Sequence, residues 1–121
     1  MVQTIEIALE ETYDQDPRVR TRATRDLCPC EIKRDVPLVW SRLFELTKDP
    51  DINVRRIALH TLIDGSPVKY EYEVISALEG MRNDTDSKLR RWVRKQLARY
   101  RTTGTINLNE WYLPAARLVS F

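Results

Sequence analysis

The sequence predicts an all-α fold: a short right-handed α-solenoid of three helix pairs, followed by a C-terminal tail that belongs to no repeat. Three observations predict it. A phrase is spoken three times at a fixed offset of 35 residues: Asp16-x-x-Val19-Arg20-x-x-Ala23-x-x-x-Leu27, then Asp51 to Leu62, then Asp86 to Leu97. A second set of acids, Asp14, Asp49 and Asp84, keeps the same step. Only three glycines occur, Gly65, Gly80 and Gly104, too few for a protein built on many tight β-turns. Self-similarity at this period, with helical spacing inside each unit, is the signature of stacked helix pairs.

Each phrase reads as the start of a helix. Asp16, Asp51 and Asp86 are placed to accept a backbone N–H from two or three residues on. Val19, Ala23 and Leu27 then fall on one face of a 3.6-residue period. The same arc takes in Ile57 and Trp92, whereas Arg22 at the equivalent place marks the first repeat as atypical. Upstream of each phrase lies a second apolar pattern in register: Ile5, Trp40 and Ile75; Ala8, Leu43 and Leu78; Leu9 and Phe44; Leu46 and Met81. First helices are therefore expected over about 2–13, 36–47 and 70–82, and second helices over about 17–28, 52–63 and 87–100. The repeats divide at about 1–30, 31–66 and 67–101. Cys28-Pro29-Cys30 and Asp64-Gly65-Ser66-Pro67 stop the helices between repeats, with Gly65 read as a left-handed C-terminal residue. Pro17 suits a first helical position.

After Arg101 the periodicity ends. Residues 102–121 form an apolar tail in which Ile106, Leu108, Trp111, Tyr112 and Leu113 are expected either to cap the open end of the last pair or to bind another molecule.

The repeated phrase, over about residues 4–101, resembles the short HEAT-like repeats of bacterial proteins. The resemblance implies the solenoid fold. It leaves function open, because that family holds scaffolds, phycobilin lyase subunits and DNA glycosylases. Independently of it, an arginine beside the apolar arc can lay its stem on the core and reach an acid or a carbonyl of a neighbouring repeat. Arg20, Arg55 and Arg90, with Asp16, Asp51 and Asp86, are thus expected to form a structural ladder.

The composition fits a soluble globular chain: 121 residues, 42% hydrophobic and 31% charged, with no apolar run able to span a membrane and no secretory leader at Met1–Glu6. Two cysteines one residue apart favour a reducing cytoplasm. Catalytic constellations are thin. His60 is the only histidine, no nucleophile is placed beside it, and Cys28 and Cys30 make no metal motif. No enzyme activity, cofactor or metal is expected.

The net charge of +2 hides a gradient. Residues 1–16 carry five acids and no base; residues 82–101 carry eight bases and two acids. Opposite the core arc of the second helices lie Thr21, Arg25, Arg56, His60, Arg91 and Lys95, flanked by Arg18, Lys88 and Arg94. Second helices of such solenoids line the concave side, so a basic stripe is expected across all three repeats. Of these, Arg18, Arg25, Arg56, His60, Arg91, Arg94 and Lys95 are the candidate partner-binding residues. The leading expectation is a non-enzymatic interaction module that holds an acidic segment of a protein partner. Nucleic-acid binding through phosphate contacts is the alternative, against which stand an isoelectric point near 8.6 and a stripe without interleaved aromatic residues. An accessory subunit of a lyase-type enzyme is the third reading.

Overall fold

The computed structural model describes residues 5–27 and 36–104. The expectations placed on Cys28-Pro29-Cys30 and on the tail, including Ile106, Leu108, Trp111, Tyr112 and Leu113, lie outside the described residues. The described chain is helical throughout and forms a short helical solenoid. Helices α1 (Ile5–Glu11) and α2 (Pro17–Asp26) make the first pair. Helices α3 (Pro37–Leu46) and α4 (Ile52–Gly65) make the second. A 3-10 turn, Val68–Tyr70, leads into α5 (Glu71–Gly80), which pairs with α6 (Ser87–Thr103).

The second helices start where the acids stand. Asp16 accepts the Arg18 amide, Asp51 the amides of Asn53 and Val54, and Asp86 the Leu89 amide. Each acid has extended backbone, so its carboxylate folds back over orphan N–H groups of the first turn. The stops differ in one respect from the sequence expectation. Helix α4 runs through Gly65 and ends at extended Ser66, ahead of Pro67, so no left-handed glycine is used there. The left-handed residue is Gly104, at φ 76°, where its amide closes α6 on the Tyr100 carbonyl.

One core runs the length of the stack. Ala8, Leu43 and Leu78 from the first helices meet Ala23, Leu27, Val54, Ala58, Leu62, Leu89, Val93 and Leu97 from the second, all buried. Leu27 and Leu62 are equally inaccessible, so the atypical Arg22, which is exposed, does not leave Leu27 at a loose end. Tyr70 closes the junction between the second and third pairs, with its ring 6.0 Å from Trp40 and 6.2 Å from Phe44.

Neighbouring pairs are joined by a ladder of arginine and aspartate. Arg20 sends Nε and Nη2 to the two carboxylate oxygens of Asp49, at 2.9 and 3.0 Å. Its Nη1 donates to the carbonyls of Asp14 and Gln15. Arg55 repeats this one pair later: Nε and Nη2 to Asp84 at 3.0 Å, Nη1 to the carbonyls of Asp49 and Pro50. In both rungs the arginine side chain is 13% exposed and the aspartate 8%. The ladder acid is therefore the inner one of each turn, Asp49 or Asp84. The outer ones, Asp16, Asp51 and Asp86, are caps, and Asp16 and Asp86 also meet Arg18 and Arg56.

Burial pushes the Asp84 carboxyl up, but hydrogen bonds from Arg55 and from the Asp86 amide, with the charges of Arg55 and Arg90, outweigh it and hold the pKa below its ordinary value. A carboxyl lowered on folding adds stability at pH above its unfolded value, about 4, and that stability is lost as pH falls through the folded value. Urea unfolding from pH 6 to pH 2 should therefore show a steep acid limb. Asp84→Asn should start less stable at pH 6 and lose less over the same interval; an acid limb of unchanged slope would show that the rung is not part of it.

Candidate functional site

The second helices lie side by side, and two shallow grooves run between them. The α2–α4 groove, about 340 Å³, is lined by Pro17, Arg18, Thr21, Arg25, Asp51, Asn53, Arg56 and Ile57. The α4–α6 groove, about 270 Å³, is lined by Arg56, His60, Lys88, Leu89 and Trp92. Arg56 lines both, so the two grooves share one residue.

The candidate residues fall into three groups by what they already hold. Arg18 is spread over its own cap, with Nε and Nη2 3.2 and 3.1 Å from the two Asp16 oxygens, yet its side chain is 90% exposed. Its guanidinium and amide hold the Asp16 carboxyl below the usual carboxylate range. Arg56 reaches Asp86 only at 3.8 Å, and His60 Nε2 lies 2.8 Å from Asp64 one turn on. These pairs are exposed and screened by water and salt, and a competing anion can displace them. Arg25, Arg91 and Lys95 are exposed and no acid is bonded to them among the described residues. Arg94 departs from the expected stripe. Its Nε donates to the Arg82 carbonyl and its Nη2 to the Asn83 side-chain oxygen, so it ties α6 to the turn before it.

The sequence reading placed Trp92 on the core arc and found no aromatic residue interleaved with the bases. In the structure Trp92 is half-buried: it packs on the core and also walls the α4–α6 groove beside Arg56 and Lys88. A residue at the edge of an apolar arc serves both surfaces, and helical periodicity does not separate the two roles.

A larger groove, about 670 Å³, opens on the other side of the molecule between α3 and α5, lined by residues that include Phe44, Thr47, Lys48, Tyr72, Ala77 and Met81. One difference between the repeats bears on it. Between α1 and α3 the equivalent space is crossed by Arg42, whose Nε and Nη2 donate to the hydroxyl and carbonyl of Thr12 at 2.9 Å. Its guanidinium also lies 3.6 Å from the centre of the Tyr13 ring. One repeat later Ala77 stands where Arg42 stands, and Thr47 and Lys48 where Thr12 and Tyr13 stand. No hydrogen bond from residue 77 to Thr47 or Lys48 occurs among the described residues. Ala77→Arg should bridge the groove to Thr47 and raise stability by about 0.5–2 kcal/mol, the usual gain from filling such a site. Thermal unfolding measures it; an unchanged or lower midpoint would show that the groove does not accept a guanidinium.

No helix among the described residues is long and apolar enough to cross a membrane. No group of three or more metal-ligating side chains occurs among them. No curated protein and no solved structure matched the chain. A family model described as HEAT repeats matches residues 5–98.

Proposed function

The chain belongs to the HEAT-repeat family, whose repeats generally mediate protein–protein interaction and are typically not enzymes, and from that premise we propose that it is an interaction module holding an acidic segment of a partner protein along α2, α4 and α6. The observation that carries this reading is the meeting of the two grooves at Arg56. Arg18 and Arg25 line one side of it, Lys88 and Trp92 the other. An extended segment laid across the grooves would offer carboxylates to Arg25, Arg56 and Lys88 and an apolar side chain to Ile57 and Trp92. Bidentate capture of carboxylates by arginine supplies register, and the half-buried indole supplies an anchor.

The charges around the grooves favour peptide over nucleic acid. Asp16, Asp51, Asp64 and Asp86 stand among the bases, and Asp51 lines the α2–α4 groove itself. A phosphate backbone, with a charge at every nucleotide, would meet those carboxylates. A segment with spaced acids can avoid them. The same face offers a phosphate backbone only a few unpaired bases, which limits non-specific binding.

The test is a titration of fluorescent peptides rich in Glu and Leu, against single-stranded DNA of similar charge, at two salt concentrations. The peptide should bind the more tightly of the two. Arg56→Glu with Lys88→Glu should weaken it at least about tenfold, as charge reversal at an interface does. Trp92→Ala should weaken the peptide with little change in salt dependence. Tighter binding of DNA, with a steep salt slope, would move the function to nucleic acid; no binding of either would remove the grooves as the site.

A further inference from the structure

The arginine ladder is unfinished at both ends. In each internal rung the arginine is held in place before it meets its acid, because Nη1 donates to carbonyls of its own turn. The acid is likewise held, because one carboxylate oxygen accepts the backbone amide two residues on: Asp51 to Asp49 at 2.8 Å, Asp86 to Asp84 at 2.9 Å. Arg90 has the first half of this arrangement. Its Nη1 donates to the Asp84 carbonyl at 2.7 Å, as Arg20 does to Asp14 and Arg55 to Asp49. No carboxylate meets its Nε–Nη2 edge among the described residues. The internal rungs join residues 29 apart, and the residue 29 after Arg90 is Val119, which has no carboxylate.

Asp14 has the second half. One of its oxygens accepts the Asp16 amide at 2.8 Å, the geometry of Asp49 and Asp84, and no guanidinium forks onto it among the described residues. Asp14 is exposed, whereas the side chains of Asp49 and Asp84 are 8% exposed. The apolar flank beside it is open too: Val19 is half-buried where Val54 and Leu89 are buried.

We propose that these are the two halves of one rung, and that a second copy of this chain stacks head to tail, with Arg90 of one copy forked onto Asp14 of the next. The ends match in charge as well as in geometry. Residues 1–16 carry five acids and no base, and residues 82–101 carry eight bases and two acids. Opposed potentials of this kind steer the encounter and reject the head-to-head arrangement. A head-to-tail contact uses a different patch on each copy, so it continues until the rotation closes a ring or the free copies run out. The contact uses the ends of the stack and leaves the grooves between α2, α4 and α6 available, so it stands or falls separately from the proposed peptide site.

Sedimentation velocity of the full chain over a concentration series tests it. Wild type should show species larger than one chain that grow with concentration and shrink with added salt. Arg90→Glu alone and Asp14→Arg alone should each sediment as monomers, with the dissociation constant raised at least about tenfold. The two variants mixed should associate again, because the mixture contains the native joint, Arg90 of the Asp14→Arg copy with Asp14 of the Arg90→Glu copy, and a second joint in which the two introduced charges are opposite. The mixture also shows that both variants are folded. A wild-type chain that remains a monomer throughout overturns the proposal, as does association that either single variant leaves unchanged.

Discussion

The structure depends on the fork that Arg20 and Arg55 place between successive helix pairs. Each guanidinium bonds at once to the carbonyls of its own turn and to the carboxylate of the next. The carboxylate passes the constraint on, since Asp49 holds the Asp51 amide and Asp51 caps α4. The starts of α4 and α6 are thus each fixed by the repeat before. Burying an ion pair is costly, and a pair exposed by only about a tenth recovers that cost through its remaining hydrogen bonds. The carbonyls on Nη1 and the amide on the carboxylate are those bonds. What the arrangement contributes beyond stability is register: a slip of one helix against the next would strand a charge away from water.

Register is what makes a shared surface. Because α2, α4 and α6 are held at equivalent phase, their outward faces line up, and Arg56 can close one groove and open the next. The family's general role in protein–protein interaction fits a fold of this kind, whose repeats supply a framework and whose exposed positions are free to vary. The differences between repeats then carry the chemistry. Trp92 replaces Ile57 and gives the α4–α6 groove an aromatic wall; Ala77 replaces Arg42 and empties the space between α3 and α5.

Much of this was legible from spacing alone. The six helices, the acids that cap the three second helices and the ladder arginines all repeat at one offset, and repetition is what a single sequence displays most clearly. The acids of the ladder were misassigned: the reading gave it Asp16, Asp51 and Asp86, whereas Arg20 and Arg55 fork onto Asp49 and Asp84 and take carbonyls of their own turn rather than of a neighbouring repeat. Features confined to one repeat were not legible. Arg42 has Ile7 and Ala77 at the equivalent places, so nothing marked it as a bridge to Thr12 and Tyr13. Arg94 reads as a stripe residue by helical phase, but Asn83 and the Arg82 carbonyl lie close enough to claim it. Arg22 marks the first repeat as atypical, yet Leu27 is as fully buried in the core as Leu62. Phase gives a direction from the helix axis; it does not tell which neighbour is there to meet it.

The measurement that bears most directly on this account is a double-mutant cycle on the second rung, with urea unfolding of wild type, Arg55→Ala, Asp84→Ala and the double variant at neutral pH. If the fork couples one repeat to the next, the two losses will not add, and the coupling energy will be about 1–3 kcal/mol, as for residues in one hydrogen-bonded network. Losses that add to within about 0.5 kcal/mol would contradict it, and would mean that the stack is held in register by its apolar core alone.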